Sequence, residues 1–279
     1  MKRILVPTDF SEEANNALLA AHSLASNTDS SILLLHIVED PNAISFNTMG
    51  QSQYDSMENV YVLKLIEKTK EKLQTIIDDP KFADIDISYK VDIGNSYSSI
   101  IEHIASHETS LIIMGTTGVS GLEEILVGSV TDKIVRHASC PVITVKKCKD
   151  LSKVKNIVFA TDLKEDQSQI IEDLKKLQKY YDAKLHIIKV YDSVWLKEEE
   201  VEERIKQFTL QEGITNFSTK VMRDPDEAAA IMEYAADLDA DMIAMGSHDR
   251  HGLLHLLAGH ISKDVVNHAH RPIWTKSIK

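Results

Sequence analysis

Cysteine is almost missing from this chain: Cys140 and Cys148 are the only two in 279 residues. Two thiols exclude a disulfide framework and leave no thiolate cluster for zinc. Basic charge is also in deficit, with 31 Lys and Arg against 43 Asp and Glu and a formal net charge of −12. Without a basic patch, electrostatic binding to nucleic acid or to an anionic membrane surface has no source, and any anionic ligand must rely on local chemistry. No apolar run reaches the roughly 18 residues of a spanning helix. The run before Pro7 and Asp9 is too short for a signal peptide. These absences predict a cytoplasmic, reduced protein with neither nucleic acid nor membrane as partner. Wholesale disorder is excluded too, because 43% hydrophobic and 27% charged residues are close to globular averages.

Glycine is scarce as well. Of ten in the chain, four crowd into "MGTTGVSGLEEILVGSV", Met114 to Val130. A second stretch, "MGSHDRHGLLHLLAGHI" from Met245 to Ile261, copies its outline with particular changes. The copying is general. "KRILVPTDFSEEANNALLAA" is echoed by "KNIVFATDLKEDQSQIIEDL", "IIEHIASHETSLIIMG" by "IMEYAADLDADMIAMG", and "ASCPVITVKK" by "AHRPIWTKSI". The chain therefore reads as a tandem duplication. The offset is 153 residues between Asp9 and Asp162 but 131 between Gly115 and Gly246, so the first copy carries 22 more residues. Most fall in Glu39 to Tyr61, a polar, turn-rich segment expected to be a long connection leading into a helix. The joint, "KKCKDLSKVKN", is short and charged, which predicts that the halves pack together.

Within each copy, short apolar runs alternate with segments of helical period. "RILVPT", "SILLLHIV", "IDISYKVD", "LIIMGT" and "PVITVK" read as strands buried on both faces, with helices between them. Such alternation predicts right-handed parallel crossovers and a doubly wound α/β sheet in each half. The last helix of each copy carries one apolar stripe, Val130, Ile134, Val135 and Ala138 in the first and Ile261, Val265, Val266 and Ala269 in the second. Pro141 or Pro272 then ends it.

In open α/β sheets, ligands bind beyond the carboxyl ends of the strands, where the strand order reverses. "ILVPTD" places Pro7, Thr8 and Asp9 at the tip of the first strand, and "LIIMGTTG" places Met114, Gly115 and Gly118 at the tip of the fourth. Gly128 and Ser129 open the final helix, where exposed amides attract phosphate and glycine allows close backbone approach. At these residues the chain resembles the universal stress protein family, specifically its tandem two-domain members. The family's nucleotide-binding pattern is a glycine, two residues, a glycine, nine residues, then glycine followed by serine or threonine. Gly115, Gly118, Gly128 and Ser129 meet it, flanked by "VPTDFSEEA" and "CPVITVKK".

The resemblance implies two tandem Rossmann-like domains of the adenine-nucleotide alpha hydrolase-like (HUP) type, each an open five-stranded parallel sheet with helices on both faces, over residues 1–148 and 153–279. It implies ATP, with Mg2+, in the first domain. Pro7, Thr8, Asp9 and Ile37 would line the adenine and ribose pocket, Met114 would lie near the base, and Gly115, Gly118, Gly128, Ser129 and Val130 would cradle the phosphates. It also implies pairing through the final strands, "VITVKK" with "IWTKSI", inside one chain; a homodimer beyond that is left open.

The second copy departs from the pattern, with Asp249 at the place of Gly118 and His260 at that of Ser129. A carboxylate there repels phosphate by about a kcal/mol even when well solvated, so the second half is not expected to bind ATP in the same manner. Asp9 and Asp162 also suit helix caps before "SEEA" and "KEDQ". Between Gly115 and Val130 there is no Lys or Arg, and neither a P-loop lysine nor an acid–base pair is evident, so no catalytic residue and no metal ligand is assigned. At most, slow hydrolysis is expected. His248, His251, His255 and His260 cluster in the second loop, where a zinc site, a polar interface and a pH-sensitive surface all fit. Three functions follow: a nonenzymatic stress-response protein that binds ATP, a weak ATPase, or an interaction scaffold without ligand.

Overall fold

Burial alternates sides along each strand, and this alternation builds the molecule. The computed structural model describes residues 3–39, 56–106, 109–116, 128–147, 149–163, 167–193, 197–248, 261, 265–266 and 269–278. The first half runs β1 (Arg3–Pro7), α1 (Glu12–Ala25), β2 (Ser31–Val38), α2 (Ser56–Ile77), β3 (Ile87–Ile93), α3 (Ser96–Ser106), β4 (Leu111–Gly115), α4 (Ser129–His137) and β5 (Val142–Val145). The second repeats it with β6 (Asn156–Ala160), α5 (Ser168–Tyr181), β7 (Lys184–Tyr191), α6 (Glu198–Gln211), β8 (Phe217–Arg223), α7 (Glu227–Asp237), β9 (Met242–His248) and β10 (Ile273–Ile278). The expected strands and helices of the first copy all form. The long connection does lead into a helix, α2, although residues 40–55 lie outside the described residues.

Each half is an open parallel sheet of five strands, and together they make one ten-stranded sheet ordered β3-β2-β1-β4-β5-β10-β9-β6-β7-β8. The single antiparallel junction joins the final strands, with Ile273 opposite Thr144, Trp274 opposite Ile143 and Thr275 opposite Val142. The two final strands therefore meet within one chain, as expected. The strand order reverses between β1 and β4 in the first half and between β6 and β9 in the second.

Ile4 and Val6 of β1 face one side of the sheet and Leu5 the other. On the first side a single core runs across both halves, from Leu24 of α1 and Ile143 of β5 through Trp274 of β10 to Leu174 of α5. A shared core explains why so short a joint suffices: burying Trp274, 1% exposed, removes apolar surface worth a few kcal/mol. On the opposite side the halves keep separate cores. Ile100, Ile104, Ile134 and Val135 cover the first, while Ala228, Ile231, Val265 and Val266 cover the second. The apolar stripes read in the last helix of each copy thus do face the sheet. Among the described residues, no helix is long and apolar enough to cross a membrane.

Candidate functional site

The chain after β1 turns sharply, and three short hydrogen bonds fix the turn. Thr8 Oγ1 accepts from the Phe10 amide at 3.1 Å, Asp9 Oδ1 from the Ser11 amide at 2.9 Å, and Ser11 Oγ from the Ala14 amide at 3.2 Å. Ser11 is the N-cap of α1, so Asp9 acts one step earlier, holding the residue that caps. Phe10 sits in the left-handed region, with φ 66°, and Leu163, its equivalent in the second copy, has φ 57°. A non-glycine residue in the left-handed region costs about 1–2 kcal/mol, so both copies keep a strained corner at the strand tip.

His36 of β2 supports that corner from below. Its Nδ1 lies 2.8 Å from the Thr8 carbonyl, and since a carbonyl only accepts, Nδ1 carries the proton. Its ring lies 4.6 Å from that of Phe10, over which Lys72 sits at 5.1 Å. Burial pushes the His36 pKa below its ordinary value, against an upward pull from the Thr8 carbonyl and Asp9. Sequence reading missed His36, because nothing in "SILLLHIV" distinguishes it from a strand histidine with a solvated tip.

Between the carboxyl ends of β1 and β4 lies a cavity of about 360 Å³, within the size range of small-molecule sites. Pro7, Thr8, Asp9, Ile37, Met114, Gly115, Gly128, Ser129 and Val130 all border it. Of the expected site residues only Gly118 lies outside the described residues. Ser11, Ala14, Glu39, Ser96, Ile100 and Thr131 also border it and were not foreseen.

The floor of the cavity is held by α4. Its N-cap is Gly128, which makes no side-chain cap hydrogen bond, so among the described residues the first-turn amides are not claimed by an N-cap side chain as those of α1 are. The turn is tied to β4 instead: Gly128 donates its amide to the Thr116 carbonyl at 2.6 Å, and Thr131 Oγ1 donates to the Gly115 carbonyl at 3.0 Å. An uncapped helix start facing a cavity attracts an anion through its amides and its dipole. The described side chains bordering the cavity include two carboxylates, Asp9 and Glu39, and no Lys or Arg. Glu39 accepts a hydrogen bond from Ser96 at 2.8 Å.

Gly115 has a second reason to be glycine. A Cβ there would lie 2.8 Å from the carbonyl carbon and Cβ of Glu13 and 2.9 Å from its oxygen, so the first turn of α1 presses directly on the end of β4.

The second copy differs at a position the loop comparison overlooks. Gln167 occupies the place of Ala14, and its side chain is buried. Its Oε1 accepts from Thr161 Oγ1 at 2.8 Å and its Nε2 donates to Asp162 Oδ1. The residues equivalent to Thr8 and Asp9 are thus bridged by an amide from their own chain. Of the loop changes, Asp249 and His260 lie outside the described residues, as do His251 and His255. Among the described residues, no group of three His, Cys, Asp or Glu could hold a metal ion. Cys140 offers no nucleophile, since burial pushes its thiol up to about 11.

The universal stress protein family model matches residues 1–146 and again 153–275. A universal stress protein of Methanocaldococcus jannaschii is 28% identical over 154 residues, spanning 52% of this chain and 95% of the relative. Another from the same organism is 31% identical over 148 residues, spanning 53% and 84%. The crystal structure of a universal stress protein from Archaeoglobus fulgidus has the same fold, with a TM-score of 0.75 at 22% identity over 99% of this chain and 98% of that one. Matched once in each of its two copies, the chain belongs to the universal stress protein family as a tandem two-domain member.

Proposed function

We propose that the first half, residues 1–148, binds ATP with Mg2+ in the β1–β4 cavity, and that the second half, residues 153–279, does not bind it in the same manner. The observation that carries this reading is the convergence of nine expected residues on one cavity that ends at an uncapped helix start. Thr8, Asp9, Pro7 and Ile37 would hold base and ribose, Met114 the base, and the backbone from Gly128 to Val130, with Gly115 and Gly118, the phosphates. Asp9 and Glu39 repel a bare triphosphate, which supports a magnesium complex. Such an ion keeps most of its ligands from phosphate and water rather than from a protein cage. In the second half Gln167 engages Asp162 and Thr161, adding a steric and hydrogen-bonding obstacle to the charge of Asp249.

The role that follows is nonenzymatic: a cytoplasmic stress-response or regulatory protein whose state follows nucleotide occupancy. Among the described residues bordering the cavity there is no histidine, lysine or arginine, and the Asp9 carboxylate accepts from the Ser11 amide. Gly118→Asp, which reproduces the second copy's residue in the first, tests the reading. Calorimetry with Mg-ATP should show binding by the natural chain and none by the variant, with phosphate release below one turnover per minute. Normal binding by Gly118→Asp would refute the site, and many turnovers per minute would favour the ATPase.

A further inference from the structure

The far end of α4 is held by the other half of the molecule. The last carbonyls of a helix lack partners within it and need others. In α4 the Ile134 carbonyl accepts from the Ala138 amide at 2.9 Å, but the next ones are served by the second half. Ser247 Oγ of β9 donates to the Val135 carbonyl at 2.8 Å, and Ser277 Oγ of β10 donates to the Arg136 carbonyl. Just beyond, Lys276 Nζ donates to the Ser139 carbonyl at 2.5 Å, and Asp173 of α5 holds the same ammonium at 3.3 Å. Lys276 is only 8% exposed, so its positive charge lies buried at the negative end of the α4 dipole, where a cation is favoured.

We propose that Ser247, Lys276 and Ser277 are positioning residues for the nucleotide site, through which docking of the second half and occupancy of the first half's cavity are coupled. This rests on the preceding reading that the start of α4 receives the phosphates. The helix is nine residues long, about 13 Å at 1.5 Å per residue, and is too short to bend internally. A shift at one end is therefore delivered to the other. Packing alone does not call for these side chains. The equivalents in the first half are Thr116, Val145 and Lys146, and buried Val145 fills the register position of Lys276 with an apolar side chain. Thr116 Oγ1 is buried with no hydrogen-bond partner among the described residues. Among the described residues, these donors reach the phosphate helix of the first half from the second. Coupling of two equilibria is reciprocal, so ATP should tighten the β5–β10 junction as much as the junction tightens ATP.

Calorimetry with Mg-ATP on the full chain tests this, using Ser277→Ala, Lys276→Met and the double variant. Each single change should raise the Kd at least threefold and the double about tenfold, while Ser277→Thr and Lys276→Arg, which keep a donor, should restore binding to within twofold. In the natural chain, saturating Mg-ATP should slow hydrogen exchange at the β10 amides Ile273 and Thr275 at least threefold, a readout that needs no variant to fold. Tight binding by the natural chain with a Kd unchanged in the variants, or with β10 exchange unchanged by ATP, overturns the coupling and leaves the site standing. Absence of binding by the natural chain overturns both.

Discussion

Replacing Gly115 by alanine separates two explanations of the same residue. If the glycine only opens a path for phosphate, the unliganded protein has room for a methyl group, and Gly→Ala stabilises it by about 0.4–1 kcal/mol through the unfolded chain. The structure gives the opposite sign. The new Cβ would stand 2.8 Å from two carbon atoms of Glu13, one of them backbone, so α1 must move rather than a side-chain tip. That turn is pinned by the Ser11 cap and the Asp9 bond to Ser11, and forced displacement of a packed element costs about 1–3 kcal/mol. At about 2–4 °C per kcal/mol for domains of 150–250 residues, the melting temperature without nucleotide should fall by about 2–12 °C in scanning calorimetry. Because Asp9 moves with α1, ATP affinity should drop as well. A variant as stable as the natural chain, or more so, would refute the packing argument.

Gly128 should behave differently. Among the described residues a Cβ there meets only the Thr116 oxygen, at 3.7 Å, so Gly128→Ser fits them and supplies an N-cap side chain that α4 lacks. Stability should rise by a few tenths of a kcal/mol, while ATP affinity falls because the serine oxygen competes for the same amides; equal affinity in a titration would contradict the phosphate assignment. Acidification should act through His36 and His186, whose pKa values burial lowers. Folding disfavours their protonated forms, so the stability they contribute is present above pH about 6.5 and lost as pH falls below it. Urea midpoints should decline from pH 7.5 to 5.5, and the slope should be shallower in His36→Gln; identical slopes would remove His36 from the account. Asp79, Asp84 and Asp150, with pKa values lowered from 3.8 by hydrogen bonds, lose their contribution only in more acidic solution.

Strands and helices were legible because burial on both faces leaves near-continuous apolar runs such as "SILLLHIV" and stripes such as Ile134, Val135 and Ala138. The duplication made the site legible too, since two copies under different demands expose which residues differ. Less accessible was anything depending on what a residue touches across the chain. Ala14 against Gln167 is visible as a difference between the repeats, yet its meaning appears only when the Gln167 amide is found between Thr161 and Asp162. The corner held by His36 joins residues 28 positions apart, and the capping of α4 joins residues 137 and 141 apart. No local pattern reports contacts of that kind. The family resemblance assigns Gly115 to the phosphates, and Gly115 borders the cavity; that a Cβ there would also strike Glu13 is a contact no local pattern shows.

The central claim is that one half of a duplicated molecule kept a nucleotide site and the other did not. Native mass spectrometry of the full chain with Mg-ATP counts the sites directly. One ATP per chain at saturation is predicted, and Ala14→Gln, which copies the second half's residue into the first, should reduce it to none. Two ATP per chain, or none in the natural chain, would contradict the account.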